Sequence, residues 1–345
     1  MKRYYYMDVL NILATLAVVF LHSSTYAFTN AGTKNWYVAV VLQVFFIFAV
    51  PIFFMISGAN ILDYRKKEDT ATFFKKRFKR IALPFLSWSI VWFLYYNHQE
   101  WHYSLKNWHT YGRFFNRLMH DNIQLIFWFF YIIIAFYIAA PILSKIFETE
   151  NRRLVLYLIT IYVIFSGLIS YYYQLSGMND SAFVGGLSIG VSGGIGYFAM
   201  GWYLKHFPLD RRKTAWLTAA GICSMLITII LTIIVSKMRG EFVREAYSIW
   251  GVFAILWSAS IYNFFQYSLV SWTPSVRIQI LLKTVASTSL GVYVVHYFFI
   301  DWITHYQLIS QSSLKMEILV PVLVWIISTF IVLLIQKIPF FRRTV

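Results

Sequence analysis

The sequence predicts an all-α, polytopic transmembrane helical bundle of about ten membrane helices, with both termini in the cytoplasm. Three observations predict it. Of the 345 residues, 59% are hydrophobic and only 13% charged, about half the charged share of a water-soluble domain. The apolar residues gather in runs of roughly 20, the length that crosses ~30 Å of hydrocarbon at about 1.5 Å per residue. The basic residues divide unequally between alternate gaps.

The candidate spans are 9–28, 37–62, 81–96, 123–147, 154–173, 187–204, 214–235, 246–269, 282–304 and 314–335. One side of this arrangement takes the N-terminus, 63–80, 145–153, 205–213, 271–283 and the C-terminus, with 22 Lys and Arg; the other side takes 8. Positive charge is retained on the cytoplasmic side, so both ends are placed inside. The first run is read as a membrane helix because a cleaved signal has an apolar core of only about 7–15 residues.

The loops are too short for a folded soluble domain, so residues 1–345 form a single integral membrane domain with a short cytoplasmic tail at 336–345. The net charge of +16 sits in short gaps beside long apolar runs. That placement suits anionic lipid headgroups and gives no reason to invoke nucleic acid. The one cysteine, Cys223, lies in an apolar run; it excludes an intrachain disulfide and is read as packing. The outer loop 97–122, rich in Trp, Tyr and His, is expected to lie along the membrane interface. Gly186, Gly190 and Gly194 recur every four residues, a spacing that allows close helix contact. No internal repeat is visible, as an inverted-repeat transporter would often show.

Four polar residues interrupt the first run: Asp8, Asn11, Thr15 and His22. At about 100° per residue they form one stripe, which lipid cannot satisfy and which must therefore face the bundle interior or a wet cavity. His22 lies ~21 Å along the axis from Asp8, in the outer half of the membrane. Such a histidine suits proton abstraction from a hydroxyl near neutral pH; the bland reading is a neutral imidazole tying two helices together. In the segment 73–88, Arg77 and Arg80 share a helix face, flanked by Lys75, Lys76 and Lys79. Guanidinium forks match phosphate oxygens in two-point fashion; the bland reading is headgroup anchoring. His98 and His102 lack the Glu that a zinc-protease pattern requires directly after the first His, so no metal is expected. His296 is read as packing or substrate contact, with Asp301 near the same end.

Six segments in order resemble the acyltransferase 3 family of integral membrane acyltransferases: YYYMDVLNILATLAVVFLHSS, PIFFMISGANIL, KKRFKRIALPFLSW, FWFFYIIIAFYIAAPIL, GYFAMGWYL and TSLGVYVVHYFFI. The family's first helix ends in a His, here His22, and its Arg-x-x-Arg element falls on Arg77 and Arg80. The family often has Arg eleven residues before that His; this chain has Asn11, which supplies hydrogen bonds but no charge.

The resemblance implies acyl transfer, commonly of acetyl from acetyl-CoA, to a hydroxyl of a cell-surface or exported polysaccharide, at the bacterial plasma membrane. The resulting assignment is His22 with Asn11 and Asp8 for catalysis, and Arg77, Arg80 and Lys76 for the donor. His296 and Thr15 are assigned to the substrate. Direct attack on the thioester and an acyl-His intermediate both stay open, as do monomer and homo-oligomer. A glycan exporter or flippase without acyl transfer is the alternative, and a structural or sensory subunit a third.

Overall fold

The apolar runs fold as helices. In the computed structural model, which describes residues 3–29, 32–177 and 193–345, helix dominates and no strand occurs among the described residues. The helices are α1 (Tyr5–Ser23), α2 (Lys34–Phe46), α3 (Ala49–Ile61), α4 (Thr70–Arg77), α5 (Leu83–Tyr96), α6 (His109–Met119), α7 (Trp128–Ile146) and α8 (Arg152–Tyr162). They continue as α9 (Ser170–Ser176), α10 (Ile195–His206), α11 (Arg211–Arg239), α12 (Val252–Leu269), α13 (Val276–Ser287), α14 (Ser289–His305) and α15 (Val320–Lys337).

Among the described residues, six helical stretches are long and apolar enough to cross a membrane, or seven if the bent pair α13–α14 counts as one span. The other expected spans correspond to α5, of 14 residues, to α10 and to α12. The expected start of the sixth span, at 187–192, and Gly186 and Gly190 lie outside the described residues. The ninth expected span is not one straight helix. It breaks at Thr288 with a bend of 56°, and α13 begins inside the segment expected to be a loop.

The surface chemistry is that of a protein in lipid. Helix α11 buries its small and hydroxylated residues, Gly221, Ser224, Thr228, Thr232 and Ser236, and turns Trp216, Leu226, Ile230 and Ile234 outward. A water-soluble helix does the reverse; small residues at helix contacts and large apolar ones outside are the membrane arrangement. Cys223, expected to pack, is exposed on this same helix. In the outer loop, α6 presents Tyr111, Phe115 and Met119 outward, with Trp108 just before it.

Contact between α3 and α10 organises the bundle. At Gly58 an added Cβ would stand 1.9 Å from the Phe198 carbonyl oxygen, and at Gly201 the same distance from that of Met55. The two backbones touch because neither glycine carries a side chain. At one end of this contact Asp63 is buried. Its carboxylate accepts from Trp202 Nε1 at 3.2 Å, Lys205 Nζ at 3.0 Å and His206 Nε2 at 2.8 Å. A buried carboxylate requires such partners, and these bind the ends of α3 and α10 together.

Gly201→Leu should therefore force α3 and α10 apart and destabilise the protein by at least about 2 kcal/mol, the scale of an overpacked core. Gly112→Ala, inside α6 where nothing lies within 4 Å of the added carbon, should leave the melting temperature in detergent unchanged or slightly higher. Equal melting of the two variants would contradict this account of the packing.

Candidate active site

Helix α1 runs through the centre of the bundle, against α3, α13, α14 and α15. The four polar residues of its stripe find different partners. Asp8 forms a two-point ion pair with Arg3, at 2.7 and 2.9 Å. Thr15 Oγ1 donates to the Asn11 carbonyl within the helix, at 2.7 Å. Asn11 Nδ2 donates at 3.1 Å to the Ala286 carbonyl, at the end of α13 just before the break. His22 makes no hydrogen bond among the described residues; its ring lies 5.3 Å from that of His296 and 5.7 Å, edge-on, from that of Tyr297.

The structure thus brings His22 and His296 together, although they are far apart in the chain. His296 is fully buried on α14, with Nδ1 at 2.9 Å from the Val292 carbonyl. A carbonyl only accepts, so the proton sits on Nδ1 and Nε2 carries the lone pair. That Nε2 is buried with no partner. Asp301, one turn further along, accepts from the Tyr95 hydroxyl at 2.7 Å. Asp8 and Thr15 are not part of the histidine pair. Their bonds are local, and Asp8 lies near the opposite end of α1.

Arg77 and Arg80 stand where α4 passes into α5. Asp69 caps α4 by accepting the Thr72 N–H at 2.6 Å. This bond, and a second from the Thr72 hydroxyl, hold the Asp69 carboxyl below its ordinary range. Between the helices, Phe78–Ala82 forms one π-turn, with Leu83 N–H bonded to the Phe78 carbonyl. The cause is Pro84, which has no N–H to offer the Arg80 carbonyl. Arg77 is set between aromatic rings, its guanidinium carbon 5.3 Å from the Phe73 centroid and 5.7 Å from that of Tyr137. Its Nε is buried without a hydrogen-bond partner.

Both arginines line a cavity of about 380 Å³, within the usual range for a small-molecule site. Its lining changes in character. At one end are Arg77, Lys79, Arg80, Arg342 and Arg343, and no lining side chain is acidic; the interior is formed by Phe53, Phe129, Ile133, Tyr137 and Tyr293. Asn11 and Ser289 add polar groups. Tyr293, whose hydroxyl donates to the Ile126 carbonyl, is one of its buried lining residues. Its ring is 6.2 Å from that of His296, which places a wall of the cavity beside the histidine pair. Lys76 does not line this cavity. It pairs with Glu68 and faces a neighbouring hollow of mixed charge that shares Arg77 and Arg80.

Sequence reasoning missed several of these groups. Arg342 and Arg343 read as a cytoplasmic tail. Tyr137 and Tyr293 read as two aromatics among many. Glu317, fully buried with both carboxylate oxygens lacking a hydrogen-bond partner, was legible as an acidic residue inside an apolar run. His98 and His102 are exposed, and His102 takes a left-handed conformation.

The model of the acyltransferase 3 family, described as an acyltransferase domain, matches residues 4–336. No curated protein and no solved structure matches the chain.

Asn11→Ala should remove the bond that ties α1 to the break between α13 and α14. A loss of about 1 kcal/mol is expected, the net worth of one hydrogen bond, read as a lower melting temperature in detergent. Thr15→Val, which removes only a bond within α1, should cost less.

Proposed function

The chain belongs to the acyltransferase 3 family and is a membrane acyltransferase, and we propose that its donor is cytosolic acyl-CoA and its acceptor a hydroxyl of a cell-surface or exported polysaccharide. One observation carries the donor assignment. The cavity has five cationic side chains and no acidic one at its basic end, and an aromatic and aliphatic interior whose Tyr293 lies against one member of the histidine pair. Acyl-CoA has the complementary character. Its phosphates are anionic, its pantetheine arm is slender and weakly polar, and its thioester lies at the far end.

In this reading Arg77 and Arg80 hold donor phosphates by two-point hydrogen bonds. The rings on either side of Arg77 keep its guanidinium in place before the donor arrives. Lys76 contributes through the field of the adjoining hollow. Asn11 lines the course of the arm, and Thr15, bonded to the Asn11 carbonyl, supports it from within α1. His22 takes the proton of the acceptor hydroxyl as its oxygen attacks the thioester carbonyl. The carbon–sulfur bond breaks, and the imidazolium returns the proton to the departing thiolate, so that an ester and free thiol are formed. His296, beside His22, contacts the acceptor through its unpartnered Nε2. The protein works in the plasma membrane, with the basic mouth in the cytoplasm and His22 toward the outer side, as the distribution of Lys and Arg supports.

His22→Ala should lower transfer of acetyl from acetyl-CoA by about 10²–10⁴-fold, the usual scale for a general base, with donor affinity and melting temperature unchanged. Arg77→Ala with Arg80→Ala should weaken acetyl-CoA binding by at least about tenfold, since charged hydrogen bonds contribute roughly 1.5–3 kcal/mol each. Arg77→Lys should recover only part of that loss. Near wild-type turnover by His22→Ala would remove it from the reaction.

A further inference from the structure

The basic end of the cavity is built from two separate parts of the chain. Arg77, Lys79 and Arg80 come from the junction of α4 and α5. Arg342 and Arg343 come from a short turn after α15, Phe341–Arg343, that folds back over the same opening. The family match ends at residue 336, so the family relation assigns these two arginines no role.

The fold-back is fixed by specific contacts. Trp88 Nε1, on α5, donates to the Thr344 carbonyl at 2.7 Å. Gln336 Nε2 donates to the Ser287 carbonyl at 3.2 Å, next to the break before α14. Arg342 N–H bonds the Ile338 carbonyl at 2.8 Å, and Thr344 N–H that of Phe341 at 2.9 Å. On α14, a Cβ at Gly291 would stand 2.5 Å from Val332 Cγ1 of α15 and 3.0 Å from Val345 Cβ; the absent side chain leaves room for α15 and for the chain that returns from it. These contacts hold two like charges beside a cluster of three more. Among the described residues neither Arg342 nor Arg343 has an ion pair or a side-chain hydrogen bond. Gathering five cations around one opening raises the electrostatic energy of the unliganded protein, and a bound anion lowers it.

We propose that Arg342 and Arg343 form the second half of a phosphate clamp. It rests on the donor reading above and extends it: the site is built for the whole 3′-phospho-ADP portion of coenzyme A, and not for a pantetheine thioester alone. That portion carries about four negative charges, a diphosphate and a separate monoester. Two groups of cations, brought to one cavity from separate parts of the chain, match two separate phosphate clusters. The Arg77–Arg80 pair takes one cluster and the Arg342–Arg343 pair the other. Trp88 is a positioning residue that holds the returning chain in reach.

The test is a ligand-by-variant binding comparison on the full chain in detergent, with acetyl-CoA and S-acetyl-pantetheine as probes. Arg342→Gln with Arg343→Gln should weaken acetyl-CoA binding about tenfold or more and leave S-acetyl-pantetheine binding unchanged. Trp88→Phe, which keeps an aromatic ring but loses the tethering N–H, should weaken acetyl-CoA binding severalfold with the same selectivity. Raising the salt concentration should narrow the gap between wild type and the double variant. If the double variant melts early, Trp88→Phe decides the matter, because it leaves all five cations in place. Unchanged acetyl-CoA affinity in the folded double variant, together with a loss in the Arg77→Ala/Arg80→Ala variant, would overturn the clamp and leave the donor site standing. Failure of folded wild type to bind acetyl-CoA would overturn the donor reading itself, and the clamp with it.

Discussion

Hydrocarbon offers a polar side chain no hydrogen bond, and the placement of α1 follows from that. Asn11 and His22 interrupt an apolar helix, so their face must turn toward other protein. The helix is accordingly wrapped by α3, α13, α14 and α15. Asn11 is satisfied by a carbonyl that the break before α14 leaves available. The break in turn tilts α14 by 56° relative to α13, and α14 carries both Tyr293 and His296. The needs of a few polar groups thus place the central helix, and the bend of its neighbour brings the two imidazoles together.

The second organising feature is the separation of charge from apolar lining along one cavity. Cations collect where α4 meets α5, because Pro84 forces a π-turn there and the Phe73 and Tyr137 rings hold Arg77 in place. Further in, the walls are aromatic and aliphatic until Tyr293. Along α1, Asn11 and His22 are roughly 16 Å apart by helical rise, so a ligand anchored at the basic end must be long and thin for its far end to reach the histidines. Tyr293, between cavity and histidine pair, is held by its hydroxyl on the Ile126 carbonyl. Its side chain lies between this lining and the His296 ring.

Much of this was legible in the sequence, for local reasons. The helical character followed from apolar runs of membrane length. The stripe on α1 followed from spacing, since residues 8, 11, 15 and 22 fall on one face at 3.6 residues per turn. Arg77 and Arg80, three apart, were readable as neighbours. What was not legible depends on contacts between distant parts of the chain. His22 and His296 are separated by 274 positions, and no periodicity pairs them. The return of Arg342 and Arg343 to the cavity is tied by Trp88, in another helix. The break at Thr288 has no proline to announce it, only the run Ser287, Thr288, Ser289, whose hydroxyls compete with helix. Lys76 looked equivalent to its neighbours until its pairing with Glu68 set it apart. Asp8 looked available for chemistry until Arg3, five residues away, took both its oxygens.

The central claim is that one cavity leads from the arginines to the histidine pair. The most direct measurement is a structure of the protein in lipid with acetyl-CoA bound. The account predicts the phosphates among Arg77, Arg80 and the returning arginines, the arm along the aromatic walls with Tyr293 displaced, and the thioester sulfur beside His22 and His296. Acetyl-CoA bound outside this cavity, or bound within it with the thioester directed back toward the arginines, would contradict it.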